Sequence, residues 1–229
     1  MEAFLRESPA FQTPPLDLVA EANHRIANSL TLLVSMVRMQ ASALKKNPAP
    51  LSNAEVRLLL DGIAARINTI SQLHRLLSHA PYEGVTNLKS HLHDVTDALV
   101  AALSSPDQLV RVEHNGGDCL VPTRQVQPII LILCEIFINA LKYAHPAGVP
   151  LLLRVDCSPG PGDRTTLTIS DDGVGLPDGF DPLTAKGLGF RVMRSLAAEI
   201  GAELKIESRE LGLFFHLVLP ETPAAALQA

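Results

Sequence analysis

The sequence predicts an α+β protein in two parts. The first is an N-terminal helical hairpin that pairs with a second copy as a dimeric four-helix bundle. The second is a sandwich of one mixed sheet with helices on one face. Two long stretches of helical periodicity fill residues 16–81. Short strand-like runs then alternate with helical ones over residues 82–220. The 229 residues are 47% apolar and 19% charged, enough to bury a sizeable core.

Residues 1–15 are polar, contain Pro9, Pro14 and Pro15, and read as a flexible lead-in. From Leu16 an apolar stripe (Val19, Ile26, Leu30, Leu33, Val34, Val37, Leu44) recurs at three- and four-residue spacing. Asn47-Pro48-Ala49-Pro50 breaks it. Ser52 followed by Glu55 is a capping box that opens a second helix. The stripe of that helix is Val56, Leu59, Leu60, Ile63, Ile67, Ile70, Leu73 and Leu77, and Pro81 ends it. A lone hairpin leaves such stripes open, and dimerisation closes them.

Residues 87–104 read as a helix, and 108–114 and 118–121 as short strands around a Gly116-Gly117 turn. An apolar helix follows at 123–144, then a strand pair, 149–157 and 164–170, across SPGPGD. A glycine-rich stretch at 171–189, a helix at 188–200 and strands at 203–209 and 212–219 complete the sandwich, with 221–229 as a tail.

Composition excludes several classes. The net charge of −5, from 19 basic and 24 acidic residues, argues against a nucleic-acid binder. Aromatics are 4% and tryptophan is absent, so base-stacking surfaces are poor. Three cysteines without a CxxC spacing predict neither a disulfide framework nor a zinc site, and suit a reducing cytosol. The apolar run Ile129–Ala140 is interrupted by Glu135 and Asn139 and falls short of the roughly 20 residues a membrane span needs. MEAFLRESPAFQ is not a signal peptide. A cytoplasmic protein without membrane insertion is expected.

Two clusters suggest chemistry. Asp171-Asp172-Gly173-Val174-Gly175-Leu176-Pro177 ends a strand, and Lys186-Gly187-Leu188-Gly189-Phe190 opens a helix. Glycines let a backbone approach a ligand, helix-start N–H groups favour phosphate, and a carboxylate after a strand accepts from an exocyclic amine. In the apolar helix, Glu135, Asn139 and Lys142 share one face at four- and three-residue spacing. A buried Glu and Asn need partners. Mg²⁺ carried by nucleotide phosphates would be one for Asn139.

EIFINALKYAHP, DDGVGLP and KGLGF, in this order and spacing, resemble the N box and glycine boxes of the Bergerat ATP-binding fold of histidine kinases, DNA gyrase, Hsp90 and MutL. EANHRIANSL, Glu21 to Leu30, resembles the H box E-x-x-H-R-x-x-N-x-L of one sensor histidine kinase subfamily, and LHRLL, Leu73 to Leu77, resembles its second dimerisation helix. The resemblance covers residues 16–220. The related subfamily with a tryptophan motif fits less well, because this chain has no tryptophan.

The resemblance implies an ATP-dependent protein-histidine kinase of a two-component system. His24 would be the phosphoacceptor, Glu21 would orient its ring or accept its proton, Arg25 would meet phosphate oxygens, and Asn28 shares that flank one turn later. Asn139 would hold Mg²⁺, Glu135 would join the phosphate or water network, and Lys142 and His145 would contact phosphate. Asp171 would bind the adenine amine, with Gly173 and Gly175 shaping the base pocket. Gly187, Leu188 and Gly189 would offer backbone N–H groups to phosphates. The expected partners are a second copy, a response regulator receiver domain and a separate sensor protein, since fifteen residues ahead of the first helix cannot fold into a sensor. Leu213 departs from the Gly-Thr pair of many members and brings no side-chain donor near adenine. That departure keeps open a second reading, an ATP-independent histidine phosphotransferase on a degenerate kinase fold. A serine kinase of the anti-sigma type would not need the hairpin with His24.

Overall fold

The structure is a computed structural model. It describes residues 50–77, 84–104, 109–146, 149–159, 164–182, 184 and 188–221, with scattered positions between Ala27 and Lys45. Those scattered positions are helical. Helix α1, Asn53–Leu77, opens on a reciprocal cap: Glu55 N–H donates to Ser52 Oγ at 3.2 Å, and Ser52 N–H donates to the Glu55 carboxylate at 2.8 Å.

The chain continues as β1 (Val85–Asn87), α2 (Leu88–Leu103), β2 (Val110–Gly116), β3 (Leu120–Pro122), α3 (Thr123–Tyr143), β4 (Leu151–Pro159), β5 (Thr165–Asp171), α4 (Leu188–Glu199), β6 (Glu203–Arg209) and β7 (Gly212–Val218). Five strands form one mixed sheet in the order β2-β4-β5-β7-β6. β2 and β4 are parallel, and every other neighbouring pair is antiparallel. The elements after residue 82 stand close to where the sequence puts them, with one change of pairing. β2 and β3 do not form a hairpin around Gly116-Gly117: β2 pairs with β4, and β3 pairs antiparallel with β1. A parallel partner has to be reached by a crossover, and α3 lies in that crossover between β2 and β4.

The cysteine expectation is also corrected, because Cys119 and Cys157 are joined by a disulfide. Spacing could not reveal it. The parallel register sets Cys157 against Gly116, three residues before Cys119, and so brings together positions 38 apart in sequence. The third, Cys134, is buried beside Thr69, and burial pushes its thiol up to about 12.

Helix α3 is the centre of the core. Apart from the face of Glu135, Asn139 and Lys142 it is apolar, the pattern of a core helix. Ile129, Ile130, Leu131, Ile132, Leu133, Ile136 and Phe137 are all buried. It packs on β4, β5 and α4 and is met by α1 and α2. Among the described residues it is also the one helix long and apolar enough to cross a membrane, which the interrupted run Ile129–Ala140 did not suggest. As 78% of that window is buried within the protein, its composition is that of a core helix.

Helix α1 leaves much of its apolar stripe open within the single chain, as expected of a lone hairpin. Gly62, Ala65, Arg66, Thr69 and Ile70 are the buried positions facing the rest of the chain. Val56, Leu60 and Ile67 stay 40%, 57% and 47% exposed. Leu30, Val34, Val37 and Leu44 ahead of α1 are exposed as well. The small-residue face lets α1 come close to α3, while the larger apolar stripe is left for another surface.

Gly212, at the β6–β7 turn, has φ +107° and no room for a Cβ, which would overlap the Asp171 carbonyl oxygen. Gly212→Ala should lower stability by about 1–3 kcal/mol from the backbone alone, with the overlap adding to it. Urea unfolding measures this, and an unchanged midpoint would show that β7 does not start hard against Asp171.

Candidate functional site

The site is built where β5 ends against α3. Inward positions alternate along β5, so Leu167, Ile169 and Asp171 all point to the helix layer and are buried. Asp171 Oδ1 accepts from Gly173 N–H at 2.9 Å and from Leu213 N–H at 3.2 Å. Among the described residues no donor meets Oδ2. Burial pushes the Asp171 carboxyl up, against the pull of the two N–H donors. The residue therefore has one oxygen fixed by backbone and one open. Leu213 lacks a side-chain donor, yet its backbone holds this carboxylate in place.

The glycine-rich loop is seated on the end of α3. Val174 N–H donates to the Ala144 carbonyl at 3.0 Å. A Cβ on Gly173 would lie 2.5 Å from Ala144 Cβ, so the missing side chain is what lets the loop reach the helix. Gly175 takes a positive φ of 70°, after which Leu176 N–H donates to Ser208 Oγ at 2.8 Å on β6. One ring nitrogen of His145 is engaged in this arrangement. Its Nε2 meets Asp172 Oδ1 at 2.8 Å, and Leu152 N–H donates to the same oxygen at 3.0 Å.

Along α3, Glu135, Asn139 and Lys142 have three different surroundings. Asn139 is half-buried, and its Nδ2 has no hydrogen-bond partner among the described residues. It faces Gly189 in the first turn of α4, where a Cβ would be 2.8 Å from that nitrogen. Lys142 is half-buried, and burial followed by the charge of Arg66 lowers its hold on a proton. Glu135 is 1% exposed and fully engaged: Arg66 Nε and Nη2 donate to its two oxygens at 2.6 and 2.9 Å. The expected polar face is real, but its first member is answered by the hairpin.

Asp171 and Gly173 thus meet the end of α3 at Ala144, Gly175 rests against the β6–β7 turn, and Asn139 meets Gly189 at the start of α4. Glu21, His24, Arg25, Asn28 and Gly187 lie outside the described residues, as does the side chain of Leu188. Sequence reasoning missed Arg66, Asp172 and the backbone of Leu213. For Arg66 a signal existed, since a glutamate in an apolar helix requires a cation. For Leu213 there was none, because a backbone donor has no residue type. The structure also has a cavity of about 190 Å³ between α1 and α2, lined by Asn68, Thr69 and Ser71 among others. It holds no titratable side chain and lies outside this cluster.

A strand-end carboxylate, a glycine loop and an unpartnered amide at a helix start define a nucleotide-site class, and comparison with known proteins agrees. Residues 125–223 match the family described as histidine kinase-, DNA gyrase B- and HSP90-like ATPase, which implies ATP binding. Residues 21–103 match the family described as histidine kinase. The chain belongs to the histidine kinases. It is 26% identical over 216 residues to blue-light-activated histidine kinase 2 of Erythrobacter litoralis, covering 93% of this chain and 60% of that protein. It is 28% identical over 210 residues to the sensor histidine kinase PdtaS of Mycobacterium tuberculosis, covering 88% of this chain and 39% of that one. The chain thus spans 60% and 39% of the length of these relatives. The solved histidine kinase domain of Erythrobacter litoralis EL346 blue-light-activated histidine kinase shares the fold, with TM-score 0.64 at 24% identity, over 89% of this chain and 91% of that one.

Asn139 and Asp171 should behave oppositely to structural residues. Asn139→Ala removes no hydrogen bond from Nδ2 and should change stability by less than about 0.5 kcal/mol. Asp171→Asn keeps an oxygen for Gly173 and Leu213 but removes a buried charge. A carboxyl whose pKa is raised by folding favours the folded state least once it is ionised. The Asn variant should therefore gain about 0.5–1 kcal/mol at pH 7, and the gain should shrink as acid protonates the wild-type carboxyl. Urea unfolding at neutral and acid pH checks both.

Proposed function

We propose that the chain is the kinase core of a two-component system: it binds Mg-ATP, autophosphorylates His24 and passes the phosphoryl group to an aspartate of a response regulator receiver domain. The observation that supports this most is the Asn139 amide, which faces Gly189 and has no partner among the described residues. Such an amide suits a metal–phosphate group, presenting oxygen to a cation or N–H to a phosphate. Asp171 Oδ2 would accept from the adenine amine. The N–H groups of Leu188 and Gly189 at the α4 start would meet phosphate. Asn139 would hold Mg²⁺, which when bound neutralises developing charge on the phosphates.

A neutral His24 ring nitrogen attacks the γ-phosphorus, an N–P bond forms, and the bond to the β–γ bridging oxygen breaks as ADP leaves. The ring proton then passes to Glu21, and Arg25 and Asn28 flank the transferred group. The domain division of the reading is a lead-in at 1–15, a hairpin at 16–81, an ATP-binding part at 82–220 and a tail. Homodimerisation would cover the exposed stripe of Val56, Leu60 and Ile67 together with Leu30, Val34 and Val37. A separate sensor protein would act on that hairpin.

Incubation with Mg²⁺ and γ-labelled ATP tests the reading. Acid-labile, alkali-stable label should appear on the wild type and be absent from His24→Ala, which still binds nucleotide. Asn139→Ala should lose metal-nucleotide affinity by about 1–3 kcal/mol and label in consequence. Normal labelling of that variant would sink the site assignment. An unlabelled wild type that binds no nucleotide would instead favour the phosphotransferase reading, to which the missing side-chain donor at Leu213 already points.

A further inference from the structure

Arg66 and Glu135, 69 residues apart, meet across the contact between α1 and α3. Arg66 Nε donates to Glu135 Oε1 at 2.6 Å and Nη2 to Oε2 at 2.9 Å, while Nη1 donates to the Gly62 carbonyl at 3.0 Å. The two side chains are 5% and 2% exposed. Both carboxylate oxygens are taken by one guanidinium fork. Held this way and almost fully buried, the carboxylate is kept from any ligand that arrives from solvent. Yet Glu135 lies one helical turn before Asn139, the amide left open at the start of α4. The pair therefore joins the hairpin to the wall of the nucleotide site.

We propose that Arg66 is a positioning residue through which the hairpin withholds Glu135 from the nucleotide site: docked α1 holds the carboxylate, and undocked α1 releases it to the metal–phosphate group beside Asn139. This rests on the ATP-site reading above. The contact is built for close approach, since a Cβ on Gly62 would sit 3.3 Å from Arg66 Nη1 and 3.8 Å from Ile138. The influence of Arg66 also extends past Glu135, because its charge reaches Lys142 one turn beyond Asn139. Opening a buried ion pair is unfavourable unless each partner is answered elsewhere. A metal–phosphate group answers Glu135, and water answers Arg66 once α1 leaves. Docking of α1 and binding of metal-nucleotide then compete for one carboxylate, and each must weaken the other reciprocally.

Hydrogen exchange and the affinity for a non-hydrolysable Mg-ATP analogue, both on the full chain, test this. Saturating analogue should speed exchange of α1 amides by about tenfold and leave β4–β5 amides unchanged. Arg66→Met should exchange α1 fast without nucleotide and bind the analogue about five- to tenfold more tightly. In a Glu135→Gln background, Arg66→Met should no longer tighten binding. An Arg66→Met protein with a freed α1 and unchanged affinity would overturn the proposal, as would α1 protection that ignores the analogue. Should Arg66→Met loosen β4–β5 as well, Arg66→Lys replaces it. That variant keeps the charge without the fork and should shift both readouts the same way by less; no shift overturns the proposal. A wild type that binds no nucleotide refutes the ATP reading and this proposal together. Nucleotide binding that is indifferent to Arg66 refutes this proposal alone.

Discussion

Helix α3 is buried on two sides, with the sheet below it and α1 and α2 above, and that burial constrains everything near it. Any polar group along such a helix must be answered by a neighbouring element or be left at measurable cost. Cys134 is answered by Thr69 and Glu135 by Arg66, both from α1. Asn139 Nδ2, further along the helix at its α4 contact, is answered by nothing among the described residues. Gln125 Oε1, near the start of the helix, is likewise without a partner among the described residues. Asn139 meets Gly189, and the glycine loop meets the end of the helix at Ala144.

The same constraint explains why α1 has two unlike faces. Its small face, with Gly62, Ala65 and Thr69, permits the approach that a buried Arg66–Glu135 pair requires. A larger residue at Gly62 would press on that pair. Its large apolar stripe is left outside, continuous in character with the exposed residues ahead of it. One helix therefore meets the ATPase part by polar complementarity and offers a hydrophobic surface elsewhere. Hydrophobic contact is indifferent to partner and direction, whereas a bidentate buried ion pair holds in one geometry only. The two faces suit, respectively, a permanent and a switchable contact.

Most of the fold was legible because periodicity is local. The apolar helix α3, the strand β5 after the SPGPGD turn and the capping box at Ser52 are each set by neighbours in sequence. Asp171 was legible from its motif, as the carboxylate that follows a strand and opens the glycine-rich stretch. The pairing of β2 was not, because strands of similar pattern differ only in who lies beside them. The Cys119–Cys157 bond follows from that pairing and was hidden with it.

By itself the sequence determined the element order, the membership in the histidine kinases through its H, N and glycine boxes, and the identity of the residues that can do chemistry. Only the tertiary structure decided their state. It left Asn139 open, tied His145 to Asp172, gave the support of Asp171 to a backbone N–H, and handed Glu135 to an arginine from the hairpin. Residue type sets what a group can bond to. Whether that capacity is free depends on which other groups the fold brings within about 3 Å, and those groups come from elements far apart in the chain.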